Sequence, residues 1–251
     1  MYLPKMKKYF YLLQFILLTT GLKAQNLINT DRPDQSDGTH IVEKNYFQIE
    51  TGLLFSKLDD VTRGFDNLTM IRYGITRKFE IRLLNQYSIL RNNIKISGIQ
   101  PLTISFKNQL SKQHGLFPKI SLVSYFRLPF TISPAFSADH FGYTFTLALR
   151  HDLLSNLKIY TNFGVTKDQQ LNDVSYIGTF ELNYNFTKSF SAFIEYFGNY
   201  AAHTSASNGI DIGFTYAIKN NIAVDLAFGS PTLNLSLNKF ITSGISIRLP
   251  R

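Results

Sequence analysis

From residue 46 onward, apolar side chains recur at every second position, in blocks about twenty residues apart. Phe47, Ile49, Thr51, Leu53 and Phe55 alternate with Gln48, Glu50, Gly52 and Leu54, and Phe141, Tyr143, Phe145, Leu147 and Leu149 alternate with Gly142, Thr144, Thr146, Ala148 and Arg150. The same period runs through 71–75, 79–83, 102–106, 180–184, 194–196, 212–216 and 224–228. A period of two sets one face of each strand against an apolar medium and the other against polar groups. With further segments around 120–128, 157–165 and 240–249, the pattern predicts an all-β chain of twelve strands.

The breaks between these segments sort by parity. Turn-like breaks at 76–78, 151–156, 187–189 and 218–221 follow even-numbered strands, and longer polar ones at 56–67, 88–100, 131–139 and 166–173 follow odd-numbered strands. The break at 108–118 is long where parity expects a short one. Short turns at one rim and long loops at the other are the signature of a transmembrane antiparallel up-and-down β-barrel. A periplasmic β-sandwich also alternates, but several runs here approach the ~9–11 residues that cross a bilayer at a tilt. Aromatics at strand ends, among them Tyr46, Phe55, Phe126, Phe141, Tyr184 and Phe190, suit interfacial girdles.

Composition narrows the chemistry. Charged residues are 17% of the 251, below the ~25% of ordinary soluble domains. The absence of cysteine excludes a disulfide scaffold, a thiolate metal site and a cysteine nucleophile. Residues 1–25 combine Lys5, Lys7 and Lys8 with the apolar run Phe10–Leu18 and Ala24 ahead of Gln25, the parts of a secretory signal peptide read by the Sec pathway. Four lysines and no acid in that leader leave 22 basic against 17 acidic residues, a net charge of about +5. So small and scattered a charge does not argue for nucleic acid as a partner.

The charges of the alternating segments lie on the polar face: Glu50, Arg72, Glu80, Arg82, Lys107, Arg127, Arg150, Lys158, Glu181, Glu195, Asp211, Asp225 and Arg248. A basic residue facing lipid at mid-bilayer costs ~2–4 kcal/mol, so these are expected to line the lumen. The basic ones concentrate in predicted strands two to seven and the acidic ones in eight to eleven, which would set two arcs of opposite sign across the lumen. Such arcs could pair and close a narrow barrel, or could border a passage with a transverse field that orients solutes. Ahead of the first strand, 26–44 form a polar segment in which Asp31, Arg32 and Asp34 flank Pro33, whose ring fixes φ and extends its predecessor. This stiff charged strip on the periplasmic side is either a disordered tail or a plug; the reading favoured is that it enters the mouth on the short-turn side, with Asp31 and Asp34 pairing with Arg72, Arg82, Arg127 and Arg150. The chain thus divides into a leader (1–25), the strip (26–44) and a barrel (45–251).

The run Ile28 to Ser36, with its Thr30-Asp31-Arg32-Pro33-Asp34-Gln35-Ser36 block, then Ile71 to Ile75, Phe79 to Leu83 and Phe193 to Gly198, resembles an outer-membrane β-barrel transporter family of Bacteroidetes. That family is related to the proteins named for the MetA pathway of phenol degradation. The resemblance covers nearly all of the chain after the leader and implies an exported barrel, seated in outer-membrane lipid, that admits small molecules.

Covalent chemistry finds little support. The five histidines never recur at i and i+4, and no phosphate loop, HExxH or GxSxG is present. Neither a metal nor a cofactor is expected. A lipid hydrolase would need a Ser–His pair; His203 and Ser205 stand at i and i+2 and could face the same way, but in a polar predicted loop without an orienting acid. A structural or adhesive barrel with partner-binding loops is the other alternative. The leading expectation is a porin-like channel or transporter, not an enzyme, passing small polar or amphipathic solutes.

Overall fold

The computed structural model describes residues 26–138, 140–169, 173–201, 206–233 and 238–250; the leader and the His203–Ser205 pair lie outside them. Thirteen strands follow in order: β1 (Phe47–Lys57), β2 (Arg63–Gly74), β3 (Phe79–Arg91), β4 (Lys95–Ile99), β5 (Leu102–Ser111), β6 (Lys119–Leu128), β7 (Gly142–Asp152), β8 (Leu157–Lys167), β9 (Val174–Asn185), β10 (Phe190–Ala201), β11 (Ser207–Lys219), β12 (Ile222–Ser230) and β13 (Lys239–Leu249). Each barrel strand pairs antiparallel with its neighbours, and β1 pairs with both β2 and β13 (Phe47 opposite Tyr73 and Leu249), so the sheet closes. Closure leaves no strand edge among the twelve wall strands, as the interior of a bilayer requires.

The thirteenth strand, β4, stands outside that count. β3 pairs with β5 through Phe79–Leu84 and with β4 through Tyr87–Arg91, so β4 is a five-residue ribbon folded back beyond the wall. The expected loop at 88–100 is therefore largely strand, and the one at 56–67 shrinks to 58–62 between β1 and β2. The physical reason is that these strands run past the apolar belt. Above it their outward side chains become polar (Lys57, Arg63, Arg91), and an alternation of apolar residues no longer reports them. The odd break at 108–118 shortens likewise, because β5 continues to Ser111 through an irregularity between Gln109 and Ser111.

The burial pattern is inside out. Arg72, Arg82, Lys107, Glu50, Glu80, Glu181 and Glu195 are fully buried, while Phe55, Leu53, Leu147, Phe163, Phe180, Ile194 and Ile212 lie 41–59% exposed on the outer face. A β-sandwich would bury the second set, so that alternative falls. Aromatics ring the outer surface near both rims, for example Phe47–Tyr73 with centroids 4.5 Å apart and Tyr184–Phe186 at 4.9 Å on the short-turn side, and Phe55–Phe65 at 5.1 Å on the other. Strands of nine to thirteen residues, tilted ~40° at ~3.3 Å per residue, span the ~25 Å apolar band of such barrels. A closed barrel with every wall strand paired is expected to survive SDS at room temperature. Unboiled protein should therefore migrate differently from boiled protein on a gel, and identical mobility would contradict closure.

Candidate functional site

The lumen is crossed by the polar strip that precedes β1. Strand parity turns all thirteen predicted lumen residues inward; Arg127, Arg150 and Lys158 are half-buried and the other ten buried. The strip engages more of them than the expected basic arc, reaching Glu50, Glu80, Glu195 and Asp225 as well.

The basic arc closes around one carboxylate. Asp31 lies 3.3 Å from Arg72, 3.0 Å from Arg82 and 2.5 Å from Lys107, drawing together β2, β3 and β5. Arg72 also pairs with Glu50 at 2.7 Å and Glu80 at 2.9 Å. Burial alone would raise the Asp31 carboxyl, yet Arg72, Lys107 and Arg82 hold it well below the usual carboxylate range. It is therefore a permanent anion in a nest of cations.

The neighbouring residue carries the opposite charge to the opposite wall. Arg32 forms a two-pronged contact with Asp225 of β12 (Nε 3.2 Å, terminal nitrogen 3.1 Å) and donates to Thr242 of β13 at 2.9 Å. Its guanidinium lies over Gly52 and Gly244, which face each other across β1 and β13. A Cβ on Gly52 would stand 2.2 Å from the guanidinium carbon, so the absent side chain forms the slot that admits Arg32.

The strip's backbone is satisfied by the wall. The amides of Asp31, Gln35 and Val42 donate to Glu50 (3.0 Å), Glu195 (2.7 Å) and Glu80 (2.6 Å), and that of Asp37 donates to Asn162 (2.6 Å). The carbonyls of Gly38, Thr39 and His40 accept from Lys107, Ser121 and Arg72. Ser36 donates to Glu195 and meets Thr179 at 2.6 Å. Asp37 accepts from Tyr125 at 2.5 Å and pairs with Arg82 at 3.2 Å. Burial, then the Lys119 and Arg150 charges, push the His40 imidazole well below its usual value. It stands neutral, and its Nε2 accepts from Arg150 at 2.8 Å. Buried polar groups without such partners would each cost ~1–3 kcal/mol, so these contacts make the docked strip stable as a unit.

Two expectations need correction. Asp34 does not join the basic arc: the turn at Pro33 carries it to the acidic wall, where its carboxyl meets Glu181 with Glu195 nearby, and Asp37 takes the expected role at Arg82. Arg127 and Arg150 do not hold the strip's acids. Arg127 donates to Thr144 at 3.1 Å and Arg150 pairs with Asp152 at 2.7 Å. Glu181, Glu195 and Asp211 stand in one cross-strand row over β9, β10 and β11, with no cation within 4 Å among the described residues. Gln35, Ser36, Asp37, His40, Tyr125 and Asn162 were missed, although the inward parity of the last two and the unbroken polarity after Pro33 were visible in the sequence.

A carboxyl can hydrogen-bond a carboxylate only with a proton between them, so the Asp34–Glu181 contact needs one. Burial and then Glu181 push Asp34 well above the ordinary carboxylate range. Its contribution to docking is thus fully present at low pH and is lost as pH rises through the elevated value. Protease cleavage within 26–44 is expected to accelerate as pH is raised, and Asp34→Asn, which keeps a donor at every pH, should flatten that dependence. A pH-independent rate in the native protein would contradict this reading of Asp34.

The strip divides the lumen. A cavity of about 900 Å³ opens on the long-loop side, bordered by Gln35 and Asp37 with Gln86, Tyr125, Arg127 and Thr144. Another of about 1000 Å³ opens on the short-turn side, bordered by Arg32, Asp34 and His40 with Lys158, Tyr160 and Glu181. No residue lines both. Among the described residues no group of His, Asp or Glu has the geometry of a metal site.

Solved structures share the fold. The COG4313 outer membrane channel from Pseudomonas putida F1 aligns with a TM-score of 0.67 at 11% identity, over 87% of this chain and 100% of that one. The NanC porin aligns at 0.59 and 9% identity, over 80% and 100%. The KdgM porin in complex with disordered oligogalacturonate aligns at 0.52 and 16%, over 80% and 98%. No curated protein matches the sequence. The family described as "Putative MetA-pathway of phenol degradation" matches residues 30–249, and this chain belongs to it.

Proposed function

We propose that the protein is an outer-membrane channel for small polar or amphipathic solutes, with the N-terminal strip as its plug. The observation that carries this reading is the pair of open vestibules at the two ends of the lumen, each bordered by residues of a strip that is not part of the wall. A barrel serving only as a scaffold would gain nothing from two cavities that meet at a removable partition. The similar structures, an outer membrane channel and two porins, agree with it. Arg127 borders the long-loop vestibule and offers a guanidinium to weakly anionic solutes, beside the Tyr125 ring that Arg82 already covers on one side. Secretion of the chain, removal of residues 1–25 and insertion with the long loops outward belong to this proposal.

Liposome swelling tests it. Vesicles holding the full chain should swell slowly in monosaccharides. They should swell several-fold faster once the strip is undocked by substitution at Arg32, which is not part of the wall. Vesicles that stay as tight as protein-free ones in both cases would overturn the channel reading.

A further inference from the structure

At the long-loop rim the outer face of the barrel carries a row of cations that nothing in the lumen explains. Lys239 of β13 stands directly opposite Lys57 of β1, Lys57 opposite Arg63 of β2, Arg63 opposite Arg91 of β3, and Arg91 opposite Lys95 of β4. Five basic side chains therefore occupy consecutive register positions on five adjacent strands. At ~4.8 Å per strand the row is about 19 Å long. Parity turns it outward: Phe55 and Phe65, two residues along from Lys57 and Arg63, touch ring to ring on the outer face, while Ser56 and Gly64 meet on the inner one.

Like charges placed directly opposite one another on a sheet are destabilising, and the local acids, Asp59 and Asp60, reach only the Lys57 and Arg63 part of the row. Asp60 pairs with Lys57 at 2.7 Å on an exposed site. Arg63 donates to loop carbonyls rather than to a carboxylate. Arg91, Lys95 and Lys239 have no carboxylate within 4 Å among the described residues. The clustering is local: β5, β6, β9 and β11 meet the same rim at Leu102, Leu128, Val174 and Ser207, and β8 brings a single cation, Lys167, to it.

Immediately toward mid-barrel runs an apolar row in the same register: Ile194, Ile212, Phe228, Ile241, Phe55 and Phe65, each opposite the next. Over it lies an open groove of about 790 Å³, whose rim includes Lys57, Arg63 and Lys239. Cations at the headgroup level directly above an apolar furrow fit a ligand with phosphate at one end and acyl chains at the other.

We propose that this face binds a phosphorylated, multiply acylated glycolipid of the outer leaflet, its phosphates across Arg63, Arg91 and Lys239 and an acyl chain along Phe228, Ile241 and Phe55. The inference rests on the outward orientation of the long loops given above, but not on conduction. A barrel that retains the lipid and passes no solute would fail only as a channel.

The test is titration of detergent-solubilised full-length protein with bisphosphorylated lipid A, with the same lipid dephosphorylated, and with inorganic phosphate, read by native mass spectrometry. The native protein should prefer the bisphosphorylated lipid by at least about tenfold, and the triple variant R63Q/R91Q/K239Q should lose that preference while keeping its heat-dependent gel mobility. Equal binding of the two lipids, or a triple variant that still discriminates, would overturn the proposal. So would displacement of the lipid by millimolar inorganic phosphate, which would assign the row to a free anion.

Discussion

Asp31→Asn is expected to release the strip from the lumen. The substitution keeps the shape and removes one charge, leaving Arg72, Arg82 and Lys107 buried around a neutral amide. Arg72 retains Glu50 and Glu80, and Arg82 retains Asp37, but Lys107 keeps only the Gly38 carbonyl. Breaking a buried ion pair by deleting one partner costs about 3–5 kcal/mol. The lower figure alone shifts the docked–undocked balance by more than a hundredfold, since about 1.4 kcal/mol is tenfold. The wall itself should persist, because its backbone ladder does not involve Asp31. The measurable outcome is rapid proteolysis within 26–44, with unchanged heat-dependent gel mobility of the barrel. Asp37→Asn is the informative comparison: Arg82 then keeps Asp31 and Ser105, so its effect should be smaller. Equal protease resistance of Asp31→Asn and the native chain would mean that the cationic nest does not hold the strip.

The barrel was legible because its defining signal is local. Phe47 to Phe55 or Phe141 to Leu149 announce a period of two by themselves, and parity then assigns every charged residue to an inner or outer face without knowledge of its partner. Glu50, Arg72 and Glu195 were found on that ground alone. The strand ends were not legible where the chain leaves the bilayer, because at Lys57 or Arg91 the outward residue turns polar and the contrast between faces vanishes. Partners were harder still. Asp31 and Asp34 are equivalent in the sequence, each an acid beside a turn. Only the path of the chain after Pro33 sends one to Arg72 and the other to Glu181. The Gly52–Gly244 slot for Arg32 depends on a register between β1 and β13, the two strands farthest apart in the chain.

Deleting residues 26–42 should open the lumen further than any single substitution, because it removes the partition rather than one of its contacts. It also strips the lumen of Asp31, Arg32, Asp34 and Asp37 and leaves Arg72, Arg82 and Lys107 facing water. Those cations then lose their burial along with their partner, so the wall tolerates the loss better than it would tolerate a dry unpaired charge. The two vestibules, about 900 and 1000 Å³, merge into one passage larger than their sum, because the space filled by the strip is added to them. With the basic arc newly hydrated, that passage should favour anions. If the strip, and not the wall, closes the barrel, single-channel recording in planar bilayers will separate the intact chain from the deletion. Small, infrequent openings are expected for the intact chain, and a steady, several-fold larger, anion-preferring conductance for the deletion. Equal conductance of the two proteins, both correctly folded by gel mobility, would contradict it.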